Sequence, residues 1–237
     1  MVWFNLKDYT PFSLISFGTG CLIWAVLYGF EIYSINKTKK IGIPIAAIMC
    51  NFAWEINWGL IYKTDMGFLF QIAYFIWFFL DCYIVYKAFQ YGKHQMFTPS
   101  GKQYYVPTYI GVLAVWFGFY FLFIPEYDDK FGALTGWITN MFMSVLFVYQ
   151  RLNQPDFGAY NIGSTKIINS KLIAVLKLLG TGSCTFVCFQ RYPDHKTLLF
   201  LCIAFAVVDI VYIFMVYLNF PKRSIPDLDY EQIKSDS

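Results

Sequence analysis

Seven stretches of about 20 mostly apolar residues run through this 237-residue chain, at about 12–33, 41–61, 67–89, 107–125, 132–152, 170–190 and 197–220. Twenty residues in a helix rise about 30 Å, the thickness of a bilayer's hydrocarbon core. The pattern predicts an all-α integral membrane protein with seven transmembrane helices over residues 1–220, followed by a polar tail over 221–237. Only 14% of residues are charged, against about 25% in a soluble domain. Two connections are longer than the rest. Residues 90–106, with Gly92, Pro99 and Gly101, read as a turn-rich loop, and residues 153–169 carry Pro155, Gly158 and Gly163.

The basic residues predict an orientation. Lys7, Lys63, Lys130, Arg191 and Lys196 fall on the side of the N-terminus and of loops two, four and six. Twelve others fall in loops one, three and five and in the tail, and Lys177 is left inside the sixth segment. Lys and Arg accumulate on the cytoplasmic side, so the tail is expected in the cytoplasm and the N-terminus outside. The sequon Asn36-Lys37-Thr38 would then stay unmodified. No basic n-region or small-residue cleavage site marks the first segment as a leader, so it is expected to be a retained span. A net charge of +3, confined to loops, gives no support for nucleic-acid binding.

Against this apolar background three acids stand out. Glu55 lies within Asn51-Phe52-Ala53-Trp54-Glu55-Ile56-Asn57-Trp58-Gly59, Asp81 within the third segment and Asp209 within the seventh. An acidic side chain at a helix centre costs roughly 2.5–3.5 kcal/mol on insertion scales, and such residues face the bundle interior and serve a pathway, a partner or a reaction. At 1.5 Å per residue, Glu55 sits roughly 9 Å and Asp209 roughly 18 Å from the outer face, so the two can share one cavity. Asp81 is placed lower, nearer the cytoplasmic third. Glu31, at the inner end of segment one, is expected to reach the interface as a structural residue. Lys177 is available to pair with one acid. The bland alternative is that the acids only bond neighbouring helices through Asn51, Asn57, Gln71 or Asn140.

Aromatic residues make up 22% of the chain. Interfacial belts account for Trp3, Tyr104 and Tyr105. They account less well for Trp54, Trp58, Trp77 and Trp137, which lie within spans. Aromatic faces stabilise a cation without attacking it, so a buried acid with an aromatic lining is what carbocation chemistry requires. No metal site is expected. Both histidines, His94 and His195, are in loops, and the six cysteines read as apolar packing residues. Asp128-Asp129 lacks a third carboxylate three residues on, Gly132 standing there. No phosphate-binding or dinucleotide motif is present, so no cofactor is expected.

Segment three, Phe79-Leu80-Asp81-Cys82-Tyr83-Ile84-Val85-Tyr86, echoes segment seven, Val207-Val208-Asp209-Ile210-Val211-Tyr212-Ile213-Phe214. A 3+1+3 pseudo-repeat with a linking fourth helix would place the two acids equivalently.

The order of these motifs resembles the membrane-bound terpene cyclases of fungal meroterpenoid and indole-diterpene pathways and their bacterial relatives. Asn51-Phe52-Ala53-Trp54-Glu55 is similar to that family's second-helix signature, and Trp77 with Asp81 to its third-helix pattern. Asn140 to Ser144, Arg151, Gly163-Ser164 and Gly180-Thr181 resemble its fifth and sixth helices, and Asp209 with Tyr212 its last. The run Asn153-Gln154-Pro155-Asp156-Phe157-Gly158 departs from it, being longer and more polar. The resemblance implies a seven-helix, metal-free cyclase started by protonation, with Glu55 and Asp209 as the essential acids. Trp54, Trp58, Trp77, Asp81, Asn140 and Tyr212 are the candidate substrate-binding residues.

The expected function is cyclisation of a linear, hydrophobic terpenoid drawn from the bilayer, with an epoxide and a prenylated aromatic among the candidates. One of the two acids donates the proton, and the other orients it and helps reload it. The alternatives are a seven-helix transporter or receptor using the acids as a proton relay or solute site, and an assembly subunit whose acids pair with a partner protein.

Overall fold

The computed structural model describes residues 2–96, 98–128, 130–153, 170–218 and 220. Seven helices follow one another: α1 (Pro11–Thr38), α2 (Ile45–Ile56), α3 (Phe68–Tyr91), α4 (Pro99–Tyr127), α5 (Ala133–Asn153), α6 (Ser170–Arg191) and α7 (Lys196–Tyr217). A π-helical turn, Asn57–Ile61, extends α2. The described residues contain no strand. The loop expected over 153–169, past Asn153, and the tail from 221 onward lie outside the described residues.

α1, α3, α4, α6 and α7 are each long and apolar enough to cross a membrane. α2 with its π turn is shorter, and α5 carries Thr135, Thr139, Asn140 and Ser144 along its length. Large apolar side chains stand exposed on the outer faces, for example Leu22, Phe79, Val115 and Phe200. The buried set, by contrast, contains Glu31, Glu55, Asp81, Lys177 and Asp209. A soluble protein would reverse that distribution; lipid outside and a polar interior explain it.

Two boundaries differ from expectation, the first being that α1 runs on to Thr38, past 33. α4 begins at Pro99, well before 107, and the Gly92–Gln95 stretch is a 3₁₀ turn. Thr98 is the cap, its Oγ1 accepting the Gly101 N–H at 3.0 Å, and proline fits the first helical position because its missing N–H has no partner there anyway. Pro107 then sits inside the helix. Tyr105, expected at the membrane interface, is buried, and its hydroxyl donates to the Ala88 carbonyl at 2.7 Å, tying α4 to α3. Trp3 and Tyr104 are exposed.

Six helices close a ring in the order α1, α3, α2, α5, α7, α6, and α4 packs outside against α2. These neighbour relations are unchanged when α1, α2 and α3 are exchanged with α5, α6 and α7. Asp81 and Asp209 are each the fourteenth residue of their helix. α1 and α6 approach most closely at Gly20, where a Cβ would lie 2.4 Å from Cys184 Sγ and 2.7 Å from the Gly180 carbonyl oxygen. Small residues at helix contacts are how membrane bundles gain close packing.

Candidate active site

The site is built on one face of α2. Asn51 and Glu55 are four apart, as are Trp54 and Trp58, and residues at that spacing stack one turn above another. The π turn follows directly, with the Tyr62 N–H bonding the Asn57 carbonyl at 2.7 Å. Such turns recur at functional sites because they re-aim the side chains around them.

The indoles of α2 are held by the start of α5. Asp128 caps that helix, accepting the Leu134 N–H at 2.9 Å and the Thr135 N–H at 3.2 Å. The Thr135 hydroxyl donates to Asp128 as well. Its oxygen in turn accepts the Trp54 indole N–H at 3.0 Å and that of Trp58 at 3.4 Å. Between these helices Gly132 turns with φ +78°, where a Cβ would lie 2.7 Å from the Trp58 ring. A left-handed backbone against an indole admits only glycine.

A narrow cavity of about 60 Å³ opens inside the ring. Its α1 wall is Phe17, Trp24 and Tyr28, and α2 supplies Asn51, Trp54 and Glu55. Tyr74 and Trp77 come from α3, and Phe131 and Gly132 from the turn before α5. Gly136, Trp137, Thr139 and Asn140 of α5 and Thr181 and Cys184 of α6 complete it. The rings are fixed by polar edges. Trp77 donates to the Cys21 carbonyl at 3.3 Å, Trp137 to Thr185 Oγ1 at 3.0 Å and the Tyr74 hydroxyl to the Phe131 carbonyl at 2.7 Å. Asn140 Oδ1 accepts the Thr181 hydroxyl at 3.0 Å.

Glu55 is 2% exposed and lies on this wall. Its Oε1 accepts the Tyr28 hydroxyl at 2.6 Å and the Asn51 amide at 2.9 Å. Its Oε2 is buried and has no hydrogen-bond partner. The same Asn51 nitrogen lies 2.8 Å from Asp81 Oδ2 and 2.7 Å from the Tyr28 hydroxyl. The Asn51 side chain thus stands between the carboxyls of Glu55 and Asp81, tying α2 to α3.

Asp209 is arranged differently. Lys177 Nζ lies 2.6 Å from its Oδ1 and 2.8 Å from its Oδ2, and donates to Ser144 Oγ at 2.6 Å. Both partners of this ion pair are 1% exposed. Asp209 does not line the cavity; Asp81 is the acid that shares Asn51 with Glu55, and it too stands off this cavity, lining a second one. Among the other expected site residues, Trp54, Trp77 and Asn140 are on the wall. Trp58 stands behind it, packed on Trp54 and Tyr74. Tyr212 packs on Phe147, off the cavity. Glu31 does not reach the interface: it is 2% exposed and faces a second cavity.

Tyr28, Tyr74, Phe17, Phe131 and Thr135 complete the site without having been singled out. The spacing of Asn51 and Glu55 was a readable signal for the central position of Asn51. Nothing in the sequence links Tyr28 to a carboxyl 27 residues away. Among the described residues, no three His, Cys, Asp or Glu side chains gather as a metal site would need.

The family model of the Pyr4-like transmembrane terpene cyclases matches residues 8–223. The Pyr4-family terpene cyclase mfmH of Annulohypoxylon moriforme is 25% identical over 217 residues, covering 85% of this chain and 84% of its own. The terpene cyclase spyD of Aspergillus fumigatus is 24% identical over 176 residues, covering 73% and 74%. The terpene cyclase ascF of Acremonium egyptiacum is 30% identical over 84 residues, 35% of this chain and 30% of its own. No solved structure matches the chain.

Proposed function

Because the chain belongs to the Pyr4-like transmembrane terpene cyclases, we propose that it cyclises a linear terpenoid by protonation from Glu55, without a metal. The substrate is a polyprenyl chain, either carrying a terminal epoxide or attached to an aromatic ring. The observation that carries this reading is the asymmetry of Glu55. One oxygen is held by Tyr28 and Asn51, the other is buried without a hydrogen-bond partner, and the residue lines an aromatic cavity.

The Glu55 O–H breaks as a new O–H forms on the epoxide oxygen, or a new C–H on a terminal alkene. The carboxylate left behind is stabilised at Oε1 by two donors already in place. Such preorganised donors cost no reorganisation as charge develops. The alkenes then close rings in succession. Each cation lies against the π-faces of Trp54, Trp77, Tyr74 and Trp137, an attraction of about 0.5–2 kcal/mol per ring. Water takes the last proton. A cavity of about 60 Å³ holds a few waters at most, so a polyprenyl chain spreads these rings on entry. Thereafter the walls hold it folded, which supplies much of the acceleration.

In this reading Asp209 acts on the fold around the cavity, by holding Lys177 between α6, α7 and Ser144 of α5. The basic-residue bias supports an outside N-terminus and a cytoplasmic C-terminus.

The test is conversion of epoxidised and plain polyprenyl-phenol probes by purified protein in lipid, with EDTA present and products profiled by mass spectrometry. Cyclised isomers of a probe are expected. An absolute requirement for added magnesium would overturn the metal-free reading. No conversion, together with acid-dependent movement of a solute across vesicles, would give the transporter alternative its place.

A further inference from the structure

Thr135 is 0% exposed and does not line the cavity, but its hydroxyl meets three polar groups, one of them on a cavity wall. The indole N–H groups of Trp54 and Trp58 lie 3.0 and 3.4 Å from its Oγ1, and Asp128 Oδ2 is its third partner. An indole nitrogen only donates and a carboxylate only accepts, whereas a hydroxyl has one hydrogen and two lone pairs. The hydroxyl hydrogen therefore goes to Asp128, and each lone pair takes one indole. The group is saturated, and no other orientation of it serves all three partners.

This anchor governs the orientation of a ring. A side chain turns about its staggered torsions, and fixing the far nitrogen of an indole already fixed at its Cβ removes most of that freedom. Gly132 and Gly136 let the ring edges reach the anchor. A Cβ on Gly132 would lie 2.7 Å from Trp58 Cε2 and 3.1 Å from Trp54 Cζ2, and one on Gly136 would lie 3.5 Å from Trp54 Cζ2. Asp128 holds the anchor itself, since the same carboxyl accepts the Leu134 and Thr135 N–H groups. Trp54 adjoins Glu55 in sequence, both line the cavity, and Trp58 packs against Trp54. Without Thr135 Oγ1 the two indole N–H groups lose the acceptor they share. A buried indole N–H needs a partner, and leaving it unmade is costly, so the rings turn to find another.

We propose that Thr135 is a specificity-determining positioning residue: held by Asp128 and holding Trp54, it sets how many rings close before the cation is quenched. This rests on the cyclase reading. Each ring closure consumes one C=C bond and moves the positive charge to a new carbon. Early quenching breaks a neighbouring C–H bond, whose electron pair becomes a C=C bond while the proton leaves to water. Complete and early products are therefore isomers of the probe. An indole face turned to the cation stabilises it without taking that proton, so the charge survives to the next closure. A tilted ring presents its positive edge instead, and partly cyclised isomers gain.

The measurement is the ratio of fully to partly cyclised isomers formed from the epoxidised polyprenyl-phenol probe by purified protein in lipid nanodiscs. It is made on the parent protein, Thr135→Val and Thr135→Ser. Valine keeps the shape and leaves Asp128 its two backbone N–H groups, but removes the acceptor, whereas serine keeps the hydroxyl. Ultraviolet resonance Raman spectra follow the indole N–H groups in the same samples. Thr135→Val is expected to release two indoles from their hydrogen bonds and to shift the ratio toward partly cyclised isomers about 2- to 30-fold, the range of one π-face contact. Thr135→Ser should return both readouts toward the parental values. A parental ratio in folded Thr135→Val overturns the proposal, as do indoles that stay bonded there or a Thr135→Ser ratio that matches that of Thr135→Val. If Thr135→Val does not fold, Thr135→Cys takes its place, its thiol being a weaker acceptor, and an unchanged ratio there overturns the proposal. A parent protein that forms no cyclised isomer removes the cyclase reading itself, an outcome separate from a cyclising parent indifferent to Thr135.

Discussion

Neutralising one member of the Lys177–Asp209 pair is expected to destabilise the bundle, and neutralising both to restore it. Each partner is 1% exposed, and the ammonium meets both carboxylate oxygens, at 2.6 and 2.8 Å. Removing one partner of a buried pair costs about 3–5 kcal/mol, because the other charge is left without compensation. In Asp209→Asn the ammonium keeps Ser144 and an amide oxygen, so the lower end applies. In Lys177→Gln a carboxylate is stranded, so the upper end applies. The double variant leaves a neutral pair that can still hydrogen-bond across the same gap. For a chain of this size about 2–4 °C of melting temperature corresponds to each kcal/mol, so the single variants should lose roughly 6–20 °C and the double should recover most of that. The assay is thermal unfolding in detergent followed by tryptophan fluorescence, with cyclase turnover measured below the transition. If Asp209 serves the fold, turnover returns with stability in the double variant. A double variant that is stable and inactive would assign a proton-transfer duty to Asp209. Single variants that melt like the parent would refute the energetic argument.

Three other outcomes follow from the geometry. Tyr28→Phe removes the 2.6 Å bond to Glu55 Oε1; a hydrogen bond to a charged group is worth about 1.5–3 kcal/mol, so turnover should fall roughly 10- to 100-fold in steady-state assays, and an unchanged rate would mean that Oε1 bears no charge in the transition state. Trp77→Leu keeps an apolar filler and deletes a π-face worth about 0.5–2 kcal/mol to a passing cation, so mass spectrometry should find partly cyclised or early-deprotonated products; a slower reaction with an unaltered product spectrum would exclude cation contact. A reporter fused after Ser237 should be active only in its cytoplasmic form, and activity of a lumenal or periplasmic reporter would reverse the proposed orientation.

Helices were the most legible part, because twenty apolar residues leave few alternatives. Where α4 starts was not, since Pro99 and Gly101 carry turn and helix-start signals alike. The Thr98 side chain decides it, by capping the Gly101 N–H. Glu55, Trp54 and Trp77 could be singled out from chemistry, as an acid and indoles too polar for their depth, whereas Asn140 was marked by the family resemblance. Pairing Glu55 with Asp209 relied on depth along the helix, and depth says nothing of rotation about its axis. α7 turns Asp209 toward Lys177, whereas α3 turns Asp81 toward Glu55. Lys177 was recognisable as a counter-ion, but which acid it meets depends on the order of helices around the ring. Glu31 was assigned to the interface on position near a helix end, yet α1 continues to Thr38 and keeps it inside.

The account stands on the proton of Glu55, and Glu55→Gln tests it most directly. The amide keeps the shape and removes the acidic hydrogen. Purified parent and variant proteins, matched for insertion and melting, would be given the epoxidised polyprenyl-phenol probe in lipid and their cyclised product counted per enzyme. Turnover should fall by at least about 10²-fold, the lower range for removing a general acid, with the probe still bound. Product formation by Glu55→Gln at the parental rate would contradict the mechanism.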